Sequence, residues 1–386
     1  MGERSPHPTT AEKPPRGSGG PDAERRSAPT LSASHPSTTP SHRVDGWPEL
    51  LTRLLNDTDL STEETSWAME QIMSGTATPA QLAGFLVALR AKGETPAEIL
   101  AMAQTALAHA RRVHLRGPAV DVVGTGGDRS NSVNISTMAA VVVAAAGAPV
   151  AKSGNRSASS QSGAADVLEA LGVAIDLSPE AVERCVTEVG IGFCFAPAFH
   201  PALRHAAAPR RELGLPTTFN LLGPVTNPAQ PRSALAGCAF RDRAGTLAEV
   251  FARRGASVLL VRGDDGLDEI TTTTTTTVWV ISEGRVHRQS FDPLAVGIPR
   301  ADPRSLRGGD AETNADVFRQ LVAGKPGPVR DAVVLNAAAA LAAFNGLSDQ
   351  LEDDIAAGLE QANRAIDSGA ARDLLKRWVE FSTAAR

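Results

Sequence analysis

A mostly apolar stretch that runs directly into a glycine-rich turn, at residues 119–128 (AVDVVGTGGD), constrains this 386-residue chain more than any other feature. Residues 119–123 predict a buried parallel strand. Gly124, Gly126 and Gly127 allow positive φ angles and a close approach of a ligand to the backbone. A Ser/Asn-rich stretch and an Ala/Val-rich helix follow, and helix N-termini bind phosphate readily. The pattern therefore favours a phosphate-binding turn over a tight turn that binds nothing, although it is neither a P-loop nor a GxGxxG motif.

Composition argues against several classes of protein. The net charge of −5 gives no basic footprint for nucleic acid. No apolar run approaches the roughly 20 residues of a membrane span, and the N-terminus has no apolar signal core. The chain contains no Tyr, so a Tyr-based mechanism is excluded. Three cysteines without a CxxC pair predict reduced thiols and a cytoplasmic protein. They are Cys185, Cys194 and Cys238.

Three segments of different character divide the chain. Residues 1–44 are rich in Pro, Ser, Thr, Gly and Arg and predict a disordered tail. Residues 45–114 predict a small helical domain, because three Ser or Thr residues are each followed three positions later by Glu or Gln, as in capping boxes. These capping residues are Ser61, Thr78 and Thr95. From residue 115 to 386, strands alternate with helices, which predicts an α/β domain with a mostly parallel sheet flanked by helices.

The alternation places each element of the α/β domain. Strands are predicted at 119–123, 148–152, 191–195, 235–240, 257–262 and 277–282. Helices are predicted near 136–147, 162–171, 178–189, 198–213, 243–254, 311–323, 328–344 and 348–368. The unbroken run Thr271–Thr277 favours an extended segment, because it consists of β-branched residues.

A second polar loop follows the strand predicted at 148–152. It begins with Lys152, one of only five lysines in the chain, and continues to Ser160 with an amide, a guanidinium and several hydroxyls. A cation here can neutralise phosphate, whereas the alternative is a solvated loop of turn-forming residues. Two such loops after buried strands favour phosphate binding.

Charged clusters supply two further candidate sites. The acidic turn 264–269 follows a predicted strand and suits Mg²⁺, although such turns are commonly just solvated. Arg210 and Arg211 can recognise a carboxylate, or can simply stabilise a helix end. No Ser-His-Asp or Cys-His grouping predicts a protein nucleophile, so no catalytic residue is assigned.

Together, these segments resemble the anthranilate phosphoribosyltransferase family over nearly all of residues 45–370. The matching motifs occur in the order DVVGTGGD, NIST, KxGNRxxSS, SGAADVLEALG, GIGFCFAPAFHPA, RRELG, FNLLGPVTNPA and DGLDEI. The resemblance implies a helical domain joined to an α/β domain, in which some mid-chain helices rejoin the N-terminal ones, and a homodimer. It also implies transfer of the ribose phosphate of phosphoribosyl pyrophosphate (PRPP) to the amine of anthranilate, with Mg²⁺ and in tryptophan biosynthesis. Neither nucleic acid nor a membrane is implied as a partner.

The same resemblance implies which residues form the site. Asp268 and Glu269 would bind one metal ion and Ser136 another, while Asn155 and Arg210 would meet the aromatic acid. The substrate-binding residues would be Gly124, Thr125, Gly127, Asp128, Ser132, Asn134, Ile135, Ser136, Thr137, Lys152, Ser153, Gly154, Asn155, Arg156, Ser157, Ala158, Ser159, Ser160, Ala164 and Arg210. An oxocarbenium-like transition state needs a neutralised leaving group and a positioned amine more than a nucleophile, which agrees with the absence of a triad.

The sequence departs from the family pattern at two places. Ser153 stands where the family usually has His on the acceptor side, which removes a ring that can pack on an aromatic substrate. Thr271–Thr277 replaces a Ser/Thr stretch that carries a Gly-Pro turn. Three alternatives to the main interpretation stay open: a paralogue acting on another aromatic amine, a pyrimidine-nucleoside phosphorylase-like enzyme, and a non-enzymatic nucleic-acid-binding relative.

Overall fold

The computed structural model describes residues 46–157 and 161–386. The tail predicted at 1–44 and the candidate site residues Ala158, Ser159 and Ser160 lie outside the described residues. The described residues begin with four helices, as the capping patterns of residues 45–114 predict. They are α1 Trp47–Leu55, α2 Thr62–Met73, α3 Pro79–Lys92 and α4 Pro96–Ala108. All three predicted capping boxes are formed, at Ser61, Thr78 and Thr95. In each, the capping hydroxyl accepts from the N–H of the third helical residue, and the side chain of that residue accepts from the N–H of the capping residue.

The rest of the described chain forms one seven-stranded sheet with helices between and after its strands. The strands are β1 Val120–Gly124, β2 Val150–Gly154, β3 Ile191–Phe195, β4 Ser233–Gly237, β5 Ser257–Gly263, β6 Thr276–Ser282 and β7 Arg285–Phe291. The helices are α5 Ile135–Ala145, α6 Ala164–Ala170, α7 Pro179–Arg184, α8 Ala196–Phe199, α9 Arg204–Leu213, α10 Thr218–Leu222, α11 Ala244–Arg253, α12 Ala311–Val322, α13 Pro328–Asn345, α14 Leu351–Asp367 and α15 Ala370–Ala384.

The order of the strands locates the place where a ligand can enter. It is β3-β2-β1-β4-β5-β6-β7, and the first five strands are parallel while β6 and β7 are antiparallel. The prediction of a mostly parallel sheet is therefore confirmed. The chain leaves β1 toward β2 on one side and returns to β4 on the other. Such a switch opens a crevice at the carboxyl ends of the two strands, where α/β sheets bind their ligands.

Both faces of the sheet are buried by helices. One face packs against α5 and α13, and α14 and α15 pack outside these two helices, so that Val141, Leu335 and Trp378 are all buried. The other face packs against α11, α10 and the N-terminal helices, so that Phe85 of α3 and Leu260 of β5 belong to one apolar core. Burial on both faces explains why the parallel strands read as continuous apolar runs. No helix in the described ranges is both long enough and apolar enough to cross a bilayer.

Several predicted elements need correction. The helix predicted at 198–213 is broken into α8, a 3₁₀ turn Pro201–Leu203 and α9, because Pro201 lacks the N–H that a continuous helix needs. The helix predicted at 178–189 ends in a π-turn, Cys185–Val189. Strand β7 and helices α10 and α15 were not predicted.

Candidate active site

The glycine turn lies at the switch between β1 and β4. Gly126 and Gly127 have φ angles of 65° and 87°, in the left-handed region that glycine adopts without strain. The N–H of Thr125 donates to the carbonyl of Gly237 over 3.0 Å, and its hydroxyl accepts from the N–H of Ala239 over 3.1 Å. The turn is thereby fixed to the end of β4, and the two glycines are left exposed.

The acidic pair Asp268 and Glu269 lies between the glycine turn and the start of α5. Asp268 Oδ2 accepts from the N–H of Gly126 over 2.7 Å. Glu269 Oε1 accepts from the N–H of Ser136 over 3.2 Å. Residues more than 130 positions apart in the chain therefore meet at one edge of the sheet, and the structure brings together three of the motifs that the sequence singled out.

Two glycines allow this close approach. A Cβ atom on Gly124 would lie 2.3 Å from Asp268 Oδ2, and one on Gly237 would lie 1.5 Å from the carbonyl oxygen of Asp268. Neither distance is possible for a real side chain, so any other residue at these positions would push the acidic pair out of place.

The two carboxyl groups of the acidic pair are harder to ionise than ordinary carboxyl groups. Burial, and then the charge of Asp128, raise the pKa of Asp268 to about 7, and burial with the charges of Asp268 and Asp128 raises the pKa of Glu269. Neither forms an ion pair within the described ranges. Lys152 partly offsets the shift of Glu269.

Hard oxygen ligands of this kind fit Mg²⁺. In the part of the chain that the structure describes, no three His, Cys, Asp or Glu side chains could enclose a metal ion by themselves. Mg²⁺ is usually held by one or two carboxylates together with substrate phosphates and waters, so two carboxylates beside a phosphate-binding turn suit it.

Asn336, on the buried helix α13, holds the backbone next to the acidic pair. Its Oδ1 accepts from the N–H of Ile270 over 2.9 Å, and its Nδ2 donates to the carbonyl of Ile270 over 2.9 Å. Asn336 is fully buried. Sequence reasoning missed it, although a lone amide inside an alanine-rich helix was a usable signal.

Lys152, at the centre of β2, is buried to 2% exposure, and its ammonium donates to the carbonyl of Val122 over 2.5 Å. Burial lowers its pKa, while Asp121 and Glu269 act in the opposite direction. The lysine is therefore a buried cation under the glycine turn and not a residue of a solvated loop.

Asp121, also missed from sequence, is the centre of a buried polar network beside Lys152. The hydroxyl of Ser153 donates to Asp121 Oδ2 over 2.6 Å, its N–H donates to Oδ1 over 3.1 Å, and Asn227 Nδ2 donates to Oδ2 over 2.7 Å. Burial raises the pKa of Asp121. The hydroxyl that replaces the expected His is thus committed to a strand residue.

Arg156 and Ser157, in the described part of the loop after β2, bond to helix α6. Arg156 pairs with Asp166 over 2.9 Å and with Glu169 over 2.5 Å, and its guanidinium lies 5.5 Å from the ring centroid of Phe195. Asp166 also accepts from the N–H groups of Ser157 and Gly163. Of the predicted phosphate ligands, Arg156 is therefore directed to α6 and not to the acidic pair.

Other predicted site residues of the two loops contact neighbouring parts of the protein. Gly154 and Ala164 are in contact, since a Cβ on Gly154 would lie 3.1 Å from that of Ala164. Asn134 donates to the carbonyl of Ser162 and accepts from Asn314. The remaining predicted residues in this region differ in exposure: Ile135 and Thr137 are buried, and Ser132 and Ser136 are half-buried.

Arg210 and Asn155, which the resemblance predicts on the acceptor side, lie on α9 and on the loop after β2. The guanidinium of Arg210 lies 5.0 Å from the ring centroid of Phe219, is half-buried, and forms no ion pair within residues 46–157 and 161–386. Burial lowers its pKa. Asn155 is exposed, and its Oδ1 accepts from the N–H of Arg156. A partly desolvated cation without a carboxylate partner can receive one from a ligand.

The threonine run is not the extended segment that its composition predicted. Only Thr276 and Thr277 belong to β6, and residues 271–275 form a loop of bends. Hydroxyls in this loop bond to the aspartates of the preceding acidic turn. Local side-chain hydrogen bonds therefore outweigh the β-propensity of threonine here.

Comparison with known families assigns both parts of the chain. Residues 48–110 match the helical bundle domain of the glycosyl transferase family, and residues 116–372 match its a/b domain. The chain is 64% identical over 337 residues to an anthranilate phosphoribosyltransferase of Saccharopolyspora erythraea, which covers 87% of this chain and 96% of that protein. It is 57% identical to the Rhodococcus jostii enzyme of the same name, over 92% of this chain and 98% of that protein.

Solved structures show the same fold. Anthranilate phosphoribosyltransferase from Thermus thermophilus is 41% identical, with a TM-score of 0.81 over 86% of this chain and 99% of that one. The Saccharomyces cerevisiae enzyme in complex with PRPP and Mg is 25% identical, with a TM-score of 0.79 over 88% of this chain and 98% of that one.

Proposed function

Since the chain belongs to the anthranilate phosphoribosyltransferase family, we propose that the crevice between β1 and β4 is where it transfers the phosphoribosyl group of PRPP to the amine of anthranilate. In this reaction the bond from the anomeric carbon to a pyrophosphate oxygen breaks, and a bond to the amine nitrogen forms as the amine loses one proton. The products are phosphoribosyl anthranilate and pyrophosphate, and the pathway is tryptophan biosynthesis.

One observation carries the assignment of the donor site. The glycine turn, the acidic pair and the start of α5 meet through two hydrogen bonds, from Gly126 to Asp268 and from Ser136 to Glu269. Exposed backbone amides beside a helix N-terminus attract phosphate oxygens. We assign the pyrophosphate to this turn, with Gly124, Thr125, Gly127, Asp128, Asn134 and Thr137 around it.

The acidic pair, with Ser136, would hold Mg²⁺. When bound, the ion supplies the positive charge that a departing pyrophosphate needs. The protein's own contribution is to hold two carboxylates together against their mutual repulsion. The buried Lys152 beneath them limits that repulsion by acting on Glu269.

The acceptor would lie against Arg210. Its guanidinium, unpaired in the described chain and stacked over Phe219, offers a fork for the carboxylate of anthranilate. Asn155 would contribute an amide from the loop after β2. Positioning the amine against the anomeric carbon then supplies most of the rate enhancement, since no side chain needs to form a covalent bond.

A kinetic assay tests the proposal. Purified protein is mixed with PRPP, Mg²⁺ and each of a panel of aromatic amines, and the fall of substrate fluorescence or absorbance is followed together with pyrophosphate release. We expect anthranilate to give the highest kcat/KM. A better substrate among the other amines would show that the acceptor pocket serves a different compound. Phosphorolysis of uridine without turnover of PRPP would instead make the chain a nucleoside phosphorylase.

We further propose that the enzyme is a homodimer of the cytoplasm. Leu55 at the end of α1 is 76% exposed, and Val87 on the adjoining helix α3 is 43% exposed, so each of these helices offers an exposed apolar side chain to a second copy. The three cysteines are free and buried, as suits a reducing compartment. Analytical ultracentrifugation of wild type and Leu55→Glu tests the dimer, which the substitution should dissociate.

A further inference from the structure

Every second threonine from Thr271 to Thr277 donates its hydroxyl to an aspartate of the acidic turn, and these bonds hold the loop between the acidic pair and β6. The hydroxyls of Thr271 and Thr273 donate to Asp265 Oδ2 over 2.7 and 2.5 Å. Those of Thr275 and Thr277 donate to Asp264, over 2.5 Å to Oδ2 and 3.0 Å to Oδ1. We call these four hydroxyls and two carboxylates the threonine clasp.

The clasp shapes the turn that leads into the acidic pair. Asp265 Oδ1 accepts from the N–H of Leu267 over 3.2 Å, while the N–H of Gly263 donates to the carbonyl of Leu267 over 2.8 Å. The N–H of Asp264 donates to the carbonyl of Thr275 over 2.9 Å, which closes the loop from its far end. Asp268 is the next residue after Leu267.

The backbone of the acidic pair is therefore fixed on both sides. The clasp holds the turn before it, and Asn336 holds Ile270 after it. Buried carboxylates of like charge repel one another, so they stay together only where the surrounding structure dictates their positions.

We propose that the threonine clasp is a positioning element for donor binding: its hydroxyls hold the loop in which Asp268 and Glu269 meet the glycine turn, and they replace a backbone turn by side-chain hydrogen bonds. This inference rests on the proposed function, since it takes PRPP with Mg²⁺ as the ligand. It assigns to the four threonine hydroxyls the role of holding the acidic pair, without assigning them any contact with the donor.

The test removes hydroxyls while keeping side-chain volume. Thr271→Val with Thr273→Val takes both donors from Asp265, and Thr271→Ser with Thr273→Ser keeps them. Thr274→Val is the matched control, because the hydroxyl of Thr274, in the same run, bonds to nothing among residues 46–157 and 161–386. Calorimetry measures the affinity for PRPP with Mg²⁺ in the absence of an acceptor, and kinetics then gives KM for both substrates.

We expect the double valine variant to bind PRPP with Mg²⁺ about tenfold more weakly, as suits the loss of hydrogen bonds to a charged group. Its KM for the donor should rise while its KM for anthranilate stays unchanged. The double serine variant and Thr274→Val should bind like wild type. If the double variant fails to fold, Thr273→Val alone, at a half-buried position, should show a smaller loss of the same kind.

Two outcomes overturn the inference. A double valine variant with a lower melting temperature but wild-type PRPP affinity would show that the clasp only stabilises the fold. Equal losses in Thr274→Val would show that the hydroxyls are irrelevant. Failure of the wild-type protein to bind PRPP with Mg²⁺ would overturn the proposed function itself, which is a different result.

Discussion

The loop after β1 and the loop after β2 look alike in sequence and differ in structure. Both are polar, both follow a buried strand, and both were predicted to bind phosphate. The first exposes Gly126 and Gly127 beside an acidic pair that forms no ion pair among the described residues. The second binds its own cation, because Arg156 pairs with Asp166 and Glu169 on the next helix. A polar loop is available to a ligand only where its charges have no partners within the protein.

The largest effect should come from removing the two carboxylates that lie beside the first loop. Asp268→Asn with Glu269→Gln should lower kcat/KM by about a thousandfold or more, because the residues that would hold Mg²⁺ against pyrophosphate are lost. The control is Glu352→Gln with Asp353→Asn, an adjacent exposed acidic pair on α14 that removes the same charge. Retention of a Mg²⁺-dependent rate by the first variant would contradict the assignment.

Filling the glycine turn should be nearly as damaging. A Cβ on Gly126 meets no atom beyond its two chain neighbours within 4 Å, so Gly126→Val places its side chain where a phosphate would bind while the fold persists. PRPP affinity by calorimetry should fall about a hundredfold, or about 2.7 kcal/mol.

Gly255→Val is the matched control for the backbone strain that a valine suffers at a positive φ angle. Gly255 has a φ of 63°, close to the 65° of Gly126, and also has no neighbour within 4 Å of a Cβ. It lies just before β5, at the opposite end of the sheet from the crevice. Both variants should lose similar stability, and only Gly126→Val should lose donor affinity.

The two arginines separate a ligand-binding cation from a structural one. Arg210→Ala should raise the KM for anthranilate about tenfold, because a charge-assisted hydrogen bond to the substrate is lost. Arg156→Ala should leave both KM values within about twofold and lower the free energy of unfolding by about 1 kcal/mol or less, since its ion pairs are partly exposed. A large donor KM for Arg156→Ala would show that the loop after β2 also binds phosphate.

The smallest effect is expected at Ser153. Ser153→His should lower the KM for anthranilate several-fold, as suits one aromatic contact of about 1 kcal/mol, and should leave the KM for PRPP unchanged. Ser153→Ala removes only the hydrogen bond to Asp121 and separates the two contributions. An unchanged KM for every acceptor in both variants would remove residue 153 from the acceptor side.

The elements that sequence patterns located well are those whose burial is uniform. The strands between residues 119 and 262 are buried on both faces and mostly apolar, and the capped helices carry their own start signals. Helix α15 was missed although Leu374 and Trp378, four positions apart, already marked its buried face. Helix α10 has only five residues and too little periodicity to recognise.

The site was predictable in its motifs and not in its supports. The glycine turn and the acidic pair stood out because their residue types suggest a ligand. Asp121 and Asn336 did not, because their partners lie far away in the chain and exist only once the sheet and α13 have packed. The prediction of an extended threonine run was wrong because of local contacts and not distant ones. Hydrogen bonds to two aspartates nearby in the chain outweighed the β-propensity of threonine.

Strand β7 carries a consequence for how the protein behaves at high concentration. It is the last strand of the sheet, and no strand of the described residues lies beside its outer edge. Arg285, His287 and Arg288 are exposed along it, and Val286 is the only exposed large apolar side chain among its residues. A free edge of this kind can recruit a strand from another molecule, and cationic side chains discourage that pairing. The polarity that hid β7 from sequence analysis is therefore what protects the sheet from edge-to-edge aggregation.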